Sequence, residues 1–263
     1  IGGGASGLHL ALALIENPWF SEKKILLLEK SQKDKNDKTY CFWEEDSGQW
    51  DGLISKQWET ALVKQEAKEL RLSTHPYRYK MLRAIDFYTH AQNRIKTSSN
   101  VEWRHERALK ANGKGQVTTD QGEYEAVYVF DSRPPDVHSA INSNTHHTLL
   151  QHFLGWIVET DDKAFYPDQF TMMDFRIANN SHTAFMYVLP YSEKKAMVEY
   201  TFFTKKILAR SEYEDKLVSY VQNNLNISKY RITETEYGVI PMTDFPYQND
   251  STDQLIKIGA AGA

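Results

Sequence analysis

The sequence predicts an α/β protein in which a Rossmann-like dinucleotide-binding domain carries an inserted domain built on an antiparallel sheet. A glycine-rich turn opens the chain and leads into an apolar helical run and a short apolar strand. Paired β-type runs dominate the second half, and an apolar run at residues 255–258 precedes a second glycine-rich turn. We therefore expect residues 1–145 with 236–263 to form the dinucleotide-binding domain and residues 146–235 to form the antiparallel-sheet domain.

The glycine-rich turn at the start of the chain fits the pattern G-x-G-x-x-G. The pattern needs Gly2 for a tight turn, Gly4 for close approach of the backbone to a pyrophosphate, and Gly7 for close packing of the next helix. The chain has 13 glycines, so the pattern alone is weak. An ordinary turn between a strand and a helix would also satisfy it.

The residues after this turn strengthen the prediction of a dinucleotide site. Residues 8–15 are apolar and favour a helix, and residues 24–28 form a short apolar strand that runs into Glu29. Glu29 follows Gly7 by about 20 residues, which is where a carboxylate that binds a ribose is expected. The alternative is a strand that happens to end in an acid.

The other elements of the first half are predicted from periodicity and turn residues. A helix is expected over residues 81–94, a strand over 101–103, and two further strands over 116–119 and 124–130. The last strand ends at Asp131, where a parallel sheet would return to the nucleotide. A plain strand end is the equal alternative at that position.

The second half is richer in aromatic residues and in β-type runs. Residues 183–190 and 196–203 are two such runs joined by a short polar segment, which predicts a hairpin. An amphipathic helix is expected over residues 208–225. A strand is expected over residues 230–235, and residues 237–242 are expected to lead into a loop.

Composition narrows the class of protein. The chain has 263 residues, 41% hydrophobic and 25% charged, which is ordinary for a globular protein. The net charge is −4 and no long basic run is present, so we expect no nucleic-acid partner. Because Cys41 is the single cysteine, an internal disulfide framework and a multi-cysteine metal site are excluded. Both ends of the sequence lie inside motifs, so we interpret the chain as truncated at both ends.

Metal and membrane-spanning sites are not expected from the sequence. His146, His147 and His152 are irregularly spaced and lack an acid at ligand spacing, which favours capping or core roles over a metal site. No stretch reaches the roughly 18–20 apolar residues of a membrane span. Motifs of the form G-x-S-x-G, a Walker loop and C-x-x-C are absent from the sequence, which excludes the commonest hydrolase, NTPase and thioredoxin classes.

Glu199 is an acid in an unusual place. In an extended strand over residues 196–203 both faces around it are apolar, so its carboxyl is expected to be buried. Burial disfavours the charged form and raises the pKa, so such a group can act as a general acid near neutral pH. The equal alternative is a glutamate on an edge strand that pairs with Lys194 or Lys195.

Asp174 is a second carboxylate in the aromatic region. Arg176 follows two residues later, on the same face of a strand. A structural ion pair is the simpler use of this pair, and a role in chemistry is the alternative.

Six segments of the chain resemble lycopene beta-cyclases of the bacterial carotenoid pathway, and they occur in the family's order. These segments are residues 38–43, 150–156, 173–176, 185–190, 198–201 and 238–242. Together they are far more specific than the glycine turn. The resemblance implies a flavoprotein of the glutathione-reductase-like superfamily, with the inserted domain binding the substrate.

The resemblance also implies an activity and its partners. Such enzymes cyclise the ψ end groups of lycopene and related acyclic carotenoids to β-ionone rings, using reduced FAD without net redox change, and they are classed as isomerases or intramolecular lyases. NAD(P)H is implied as the electron source for FAD. Because the substrate lives in lipid, peripheral contact with the inner membrane from the cytoplasm is implied.

The family's site residues carry over onto matching positions of this chain. Cofactor-binding positions are Gly2, Gly4, Gly7, Glu29, Asp131, Gly259 and Gly262. Catalytic positions are Glu199, which matches the family's essential acid, and Asp174. Aromatic residues that would face a carbocation, or else form plain core, are Trp156, Tyr187, Tyr200 and Phe202.

Two other classes of function remain open at this point. One is another FAD enzyme of the same superfamily, such as an isoprenoid reductase or a monooxygenase, which would use the flavin for net redox chemistry and would not need Glu199. The other is a non-catalytic protein that binds carotenoids or other lipids and keeps the fold.

Overall fold

The computed structural model describes residues 1–133, 145–177 and 182–262. The chain forms two compact units. The first contains Ile1–Asn36, Ala84–Ser139 and Phe245–Ala263, and the second contains Asp37–Arg83 and Ala140–Asp244. Each unit is therefore assembled from segments that are separated along the chain.

The helices and strands follow one another in short elements. The α-helices are α1 (Ala5–Glu16), α2 (Ala84–Lys96) and α3 (Arg210–Ser219), the last continued by a π-helical turn over Tyr220–Asn224. The strands are β1 (Ile25–Leu28), β2 (Thr39–Glu45), β3 (Lys56–Trp58), β4 (Thr60–Gln65), β5 (Lys68–Ser73), β6 (Tyr77–Arg83), β7 (Val101–Arg104), β8 (Ala108–Ala111), β9 (Gln116–Thr119), β10 (Glu123–Glu125), β11 (Val129–Asp131), β12 (Thr148–Glu159), β13 (Phe170–Asp174), β14 (Thr183–Ser192), β15 (Lys195–Thr204), β16 (Arg231–Thr243) and β17 (Leu255–Lys257). Short 3₁₀ turns occupy Pro18–Phe20, Asp51–Leu53, Phe175–Ile177, Tyr247–Asp250 and Gly259–Ala261.

The first unit is built on parallel strand pairs. β1 pairs with β7, and β11 pairs with β17, in both cases parallel. The first residues of the chain run between the two pairs, because the Gly2 N–H donates to the Leu28 carbonyl (2.8 Å) and the Ser132 N–H donates to the Ile1 carbonyl (2.9 Å). The last strand, β17, therefore lies in the same unit as the first, β1.

A helical layer and a smaller sheet complete the first unit. α1 and α2 pack on each other, and α1 buries Leu8 and Leu12. The antiparallel strands β8, β9 and β10 form a three-stranded sheet whose Val117 packs with Leu28, Val129 and other apolar residues of the parallel strands. Parallel strands covered by helices give the α/β character that the sequence predicts.

The second unit contains a seven-stranded sheet in the order β16-β12-β15-β14-β13-β4-β5. Its pairs are antiparallel except for β13 with β4. β14 and β15 form the predicted hairpin, joined at residues 193–194. β12 lies between β15 and β16 and pairs with both, so its residues set how β15 and β16 are aligned with each other.

The two faces of this sheet have different neighbours. On one face, here called the helix face, Leu154 and Val198 pack with Tyr213 and Leu217 of α3. The opposite face is here called the small-sheet face, because β2, β6 and β3 form a three-stranded sheet against it. There Met197 and other apolar side chains of the large sheet join a buried cluster that includes Trp58, Met81, Ile157, Phe170 and Leu189.

The secondary structure differs from the prediction in three segments. The predicted helix over 81–94 begins only at Ala84, because Met81 and Leu82 are buried in strand β6. The predicted strand over 124–130 is two strands, β10 and β11. The strand predicted over 230–235 continues through residues 237–242 as far as Thr243, where the expected loop begins; β16 is an edge strand, and an edge tolerates the proline at position 241.

The unit boundaries also differ from the predicted domain boundaries. Residues 37–83 belong to the second unit, because β4 adds to the large sheet beside β13 and the small sheet packs on one of its faces. Residues 236–244 belong there as well, because β16 stays paired with β12 as far as Thr243. Both differences arise from strand pairings between distant segments, which local sequence patterns do not reveal.

Candidate active site

The glycine turn of the first unit is closely packed on itself. Gly2 has a φ of +92°, and a Cβ there would lie 2.4 Å from the Ser132 hydroxyl oxygen. A Cβ on Gly7 would lie 1.9 Å from the Gly2 carbonyl oxygen. Only glycine fits at either position, because Gly2 needs a left-handed backbone and Gly7 has no space for a side chain.

Gly4 differs from these two glycines because it faces open space. A Cβ on Gly4 would meet no other described atom within 4 Å. Gly4 is the N-cap of α1 and offers no side chain to the first N–H groups of the helix. Because those groups carry a partial positive charge, this geometry fits the close approach of an anionic ligand such as a pyrophosphate.

Glu29 supports the glycine turn from the end of β1. One carboxylate oxygen accepts a hydrogen bond from the Gly3 N–H (2.7 Å), and the other accepts from the N–H (2.9 Å) and the hydroxyl (2.7 Å) of Ser31. Burial alone would raise the pKa of Glu29, but these hydrogen bonds outweigh it and hold the pKa below its ordinary value. Glu29 is therefore an ionised acceptor beside the turn.

Asp131 ties the ends of two parallel strands together. Its fully buried carboxylate accepts hydrogen bonds from the Arg133 guanidinium (2.8 Å from both Nε and Nη2) and from Lys257 Nζ (2.9 Å). Burial alone would raise its pKa, but the bonds from Arg133 and Lys257 hold the pKa well below its usual range. The structure gives Asp131 a bracing position between β11 and β17.

The second glycine-rich turn packs against the start of α1. Gly259 has a φ of +65°, and a Cβ there would lie 2.4 Å from the Ser6 hydroxyl oxygen. A Cβ on Gly262 would lie 2.3 Å from the Lys257 carbonyl oxygen. The first unit thus brings together the predicted cofactor-binding residues from both glycine-rich turns around the N-terminus of α1.

Glu199 lies on the small-sheet face of the second unit and is only 8% exposed. Thr201 donates a hydrogen bond to its Oε1 (2.8 Å). Burial raises the pKa of Glu199 to about 8, helped by the nearby Glu236 carboxylate and opposed by Thr201 and Lys38. The carboxyl is therefore largely protonated at neutral pH.

The alternative partners predicted for Glu199 lie elsewhere. Lys195 pairs with Glu159 (2.8 Å), and Lys194 donates to the Asp161 carbonyl (2.5 Å). The structure thus places neither lysine on Glu199.

Glu199 belongs to a row of four residues that crosses the large sheet. Gly155 on β12 is paired with Glu199 on β15 and also with Glu236 on β16, while Tyr187 on β14 is paired with Glu199. Paired residues on neighbouring strands share a face. The row therefore reads Glu236, Gly155, Glu199, Tyr187 on the small-sheet face.

Glu236 was not predicted from the sequence as a site residue. Its carboxylate accepts a hydrogen bond from the Thr39 N–H (3.1 Å). Burial raises the pKa of Glu236, opposed by the bonds from Thr39 and by the charge of Lys38. Glu236 is identified only by the pairing of β16 with β12, and no local pattern in the sequence predicts that pairing.

Neutral side chains surround the two acids. Burial raises the pKa of the Cys41 thiol to about 12 and that of the Tyr187 hydroxyl to about 12, with Glu199 adding to both. Burial raises the pKa of Tyr79 as well. None of these groups ionises near neutral pH.

An apolar strip continues along the same face from Glu199 toward the start of β12. Phe153 is the next residue of β12 on this face and is buried, while Leu149, Ile240 and Met242 are 43–47% exposed. Leu149 is paired with Met242 across β12 and β16. Gln151 lies on the same face between Phe153 and Leu149 and is paired with Ile240. This strip was also missed from the sequence, because its residues come together only when the two strands are set in register.

Asp174 lies on the opposite face from Glu199. It is paired with Met186, which is paired with Tyr200 on the helix face. Its fully buried carboxylate accepts bonds from Arg176 Nε (2.9 Å) and from the Tyr220 hydroxyl (2.7 Å). Burial alone would raise its pKa, but these bonds hold the pKa below its ordinary value. The structure does not bring the two predicted catalytic acids together.

Three of the four predicted pocket aromatics also lie away from Glu199. Trp156, Tyr200 and Phe202 are buried in the cluster that packs against α3 on the helix face. Tyr187 is the predicted aromatic residue that shares the face of Glu199. The difference follows from strand alternation, since neighbours of Glu199 in sequence point to the other side.

His152 is held in a hydrogen-bond network. Its ring nitrogens bond to Tyr213 and to Thr204 (2.8 Å). Within residues 1–133, 145–177 and 182–262, no group of three or more His, Cys, Asp or Glu side chains is arranged to hold a metal ion. In the same described residues, no helix is long and apolar enough to cross a membrane.

Solved structures similar to this chain share its fold at low sequence identity. A geranylgeranyl bacteriochlorophyll reductase-like protein from Thermoplasma acidophilum is 16% identical, with a TM-score of 0.65 over 99% of this chain and 70% of that one. The tetrameric form of 2-methyl-3-hydroxypyridine-5-carboxylic acid oxygenase is 15% identical, with a TM-score of 0.63 over 99% and 73%. A triple mutant of a flavin-dependent brominase is 11% identical, with a TM-score of 0.63 over 99% and 71%. This likeness confirms the predicted fold class, a Rossmann-like α/β flavoprotein fold.

The family of the chain is shown by its sequence. A search of the curated proteins found no significant match. The family model described as "Lycopene cyclase protein" matches residues 1–263, which is the whole of the sequence. This chain therefore belongs to the lycopene cyclase family.

Proposed function

We propose that this protein is a lycopene beta-cyclase, an isomerase that closes the ψ end groups of lycopene to β-ionone rings. The observation that carries the proposal is Glu199, a buried carboxyl with its pKa raised to about 8, on a sheet face that continues into an exposed apolar strip. Closing such a ring needs a proton donor in an apolar setting. Glu199 meets that need, since it keeps its proton near neutral pH.

FAD is the proposed cofactor of the first unit. Its pyrophosphate would lie against Gly2, Gly4 and Gly7 at the start of α1, and its ribose would bond to Glu29. Gly259, Gly262 and Asp131 would hold the surrounding backbone in place. When bound and reduced, FAD would supply electron density that stabilises a carbocation, and NAD(P)H is the proposed source of its electrons.

The proposed reaction begins with proton transfer from Glu199. The carboxyl O–H bond breaks as a C–H bond forms on the terminal double bond of the end group, which leaves a tertiary carbocation. The neighbouring double bond attacks this cation and closes the ring, and loss of a proton restores a neutral hydrocarbon. Tyr187 and Phe153 are aromatic residues on the same side of the sheet, and the faces of aromatic rings attract positive charge. The reaction isomerises the substrate without net redox change.

The apolar strip is proposed to bind the polyene chain. Leu149, Ile240 and Met242 are exposed large apolar residues on one face of the sheet, and Leu149 is paired with Met242. Exposed apolar surface of this kind marks a binding surface for apolar partners. Lycopene or a related acyclic carotenoid would bury these side chains. Because that substrate lives in lipid, we also propose peripheral contact with the cytoplasmic side of the inner membrane.

The test is a cyclisation assay on the complete, flavin-loaded enzyme. Lycopene is incubated with it under argon after the flavin has been reduced with NADPH, and the carotenoids are separated by chromatography. We expect β-carotene to accumulate without further consumption of NADPH. Lycopene that remains unchanged under these conditions would contradict the proposal.

A second candidate is a flavin-dependent redox enzyme acting on an isoprenoid. The fold similarity to the reductase-like protein and to the oxygenase supports this alternative, since their names describe redox chemistry. The same assay separates the two functions. A redox enzyme would consume one NADPH for each product molecule, and that product would differ in mass from lycopene, whereas β-carotene has the mass of lycopene.

A further inference from the structure

We propose that Glu236 is the second acid–base residue of the cyclisation site: it receives the proton that the ring cation loses, while Glu199 delivers the proton that starts the reaction. This inference rests on the proposed function and extends it to a residue outside the family segments that the sequence brought out. It assigns the start and the end of the reaction to two different carboxyl groups.

The geometry of the row across the sheet carries this assignment. Glu199 and Glu236 are each paired with Gly155, from opposite sides, so their side chains rise from the same face. Strands in a sheet lie about 4.8 Å apart, which puts the two Cα atoms roughly 10 Å from each other. Two glutamate side chains that rise from the same face are long enough to span this separation.

Gly155 places no side chain of its own between the two acids. A Cβ at this position would lie 3.4 Å from Glu199 Oε2, so the carboxyl of Glu199 leans over the glycine toward Glu236. The same Cβ would lie 2.9 Å from the terminal methyl carbon of Met197. A side chain at position 155 would therefore collide with Met197 and crowd the carboxyl of Glu199, and a glycine in the middle of a strand often marks such a close approach.

The hydrogen-bond partners of the two acids favour different protonation states. Glu236 accepts from the Thr39 backbone N–H, a group that can only donate, so this bond favours the carboxylate. Glu199 is bonded to the Thr201 hydroxyl, which can donate or accept and so tolerates a protonated partner. Burial raises the pKa of both acids, and the charge of Glu236 adds to the rise at Glu199. When the pair holds one proton, these hydrogen-bond partners favour placing it on Glu199.

The other charged and titratable groups near Glu236 leave this division intact. Lys38 contributes a positive charge that favours ionisation of both acids, and Asp37 contributes a negative charge near Glu236. Burial raises the pKa values of Cys41 and Tyr191, which stay neutral. On β16 itself, Glu234 is paired with Arg83 (3.0 Å).

In the proposed reaction, one proton leaves Glu199 and one proton joins Glu236, so the protons balance. Glu199 loses its proton to the terminal double bond, and the ring bond forms from the electrons of the neighbouring double bond. A C–H bond next to the new cation then breaks; its electrons become the ring double bond, and its proton joins Glu236. Return of that proton from Glu236 to Glu199 restores the starting state without an oxidant or a reductant.

The experiment measures kcat/KM for lycopene cyclisation as a function of pH in the complete, flavin-loaded enzyme. The wild type should give a bell-shaped profile, with Glu236 ionised on the acidic limb and Glu199 protonated on the basic limb. Glu236→Gln should lose the acidic limb and lower kcat about 100-fold or more. Flavin binding and the thermal unfolding midpoint should hold, because the amide oxygen still accepts from Thr39.

Glu234→Gln is the matched control. Glu234 lies two residues away on the same strand and face, and its pairing with Arg83 is structural, so this variant should keep the wild-type pH profile. Glu236→Asp is a second variant that keeps the acid. It should retain the acidic limb with a kcat reduced about 10-fold, which a merely structural role would not produce.

The outcomes separate the two proposals. If Glu236→Gln keeps an acidic limb and a wild-type kcat, or if Glu236→Asp behaves like Glu234→Gln, the role of Glu236 is refuted while the cyclase function stands. If the wild type fails to cyclise lycopene, the function itself is refuted, and with it the role assigned to Glu236.

Discussion

The two faces of the seven-stranded sheet each bury an acid, and the two acids are held in opposite ways. On the helix face, Asp174 receives bonds from Arg176 and Tyr220, and its pKa lies below the ordinary value. On the small-sheet face, Glu199 receives a bond from Thr201, and burial raises its pKa to about 8. Burial alone therefore does not identify a reactive carboxyl. The number and charge of the hydrogen-bond donors around a buried carboxyl decide whether it is ionised, as Asp174 is, or protonated, as Glu199 is.

The largest expected difference between the two acids is in activity, which Glu199→Gln should abolish. We expect cyclisation to fall about 10³-fold or more, because the amide keeps the size of the acid but has no acidic proton to donate. Flavin content and lycopene binding should remain. Product analysis by chromatography measures the loss, and cyclisation at the wild-type rate would contradict the assignment of Glu199 as the acid.

The same kind of substitution at Asp174 should act on stability. Asp174→Asn leaves the Arg176 charge without its partner, so we expect the free energy of unfolding to fall by about 2–3 kcal/mol. Urea denaturation followed by tryptophan fluorescence measures the change. Tyr220→Phe, which removes one neutral donor, is the matched control and should cost about 1 kcal/mol. A stable Asp174→Asn protein that cannot cyclise lycopene would show that Asp174 takes part in chemistry after all.

The pH dependence of stability should distinguish the two faces as well. Because the folded pKa of Glu199 is raised, the folded state holds a proton that the unfolded chain releases above about pH 4.5, so stability falls as the pH rises from there to about 8. The slope from this group is about 1.4 kcal/mol per pH unit. Glu199→Gln should remove that fall between pH 5 and 8. The free energy of unfolding is measured by denaturation at several pH values. If it falls by the same amount with pH in the wild type and in Glu199→Gln, the raised pKa is refuted.

The smallest effect should come from the apolar strip. Ile240→Ser removes an apolar contact on the face of Glu199, worth about 1 kcal/mol, and should raise KM for lycopene about 5-fold with little change in kcat. Ile232→Ser is the control, because Ile232 is equally exposed on β16 but is paired with Val158 of the helix face. Equal KM values in the two variants would argue against the strip as the polyene-binding surface.

The parts of the molecule that the sequence predicts well are those encoded locally. The glycine turn, the helix that follows it and the hairpin around Glu199 depend on residues close together in the chain, and the structure confirms each of them. The burial of Glu199 was also predicted, because apolar residues flank it within a single strand.

The parts that the sequence leaves undetermined depend on register between distant strands. The apolar residues beside Glu199 in sequence, such as Tyr200, point to the other face, while its true neighbours Gly155 and Glu236 come from other strands. Met81 and Leu82 have the pattern of a helix but are buried as strand residues under the pairing of β6 with β2. Local propensity is overridden there by the tertiary environment.

The parallel pairing of β11 with β17 has a consequence for how the protein comes off the ribosome. Lys257 is synthesised 126 residues after Asp131, so this ion pair forms only when nearly all of the described chain has been made. The strands of the second unit, by contrast, are all complete by Thr243. Closing a long loop carries an entropic cost that delays such pairings. The strands of the second unit are therefore able to pair during translation. The first unit, although it contains the first residues of the sequence, is among the last parts of the described chain to be completed.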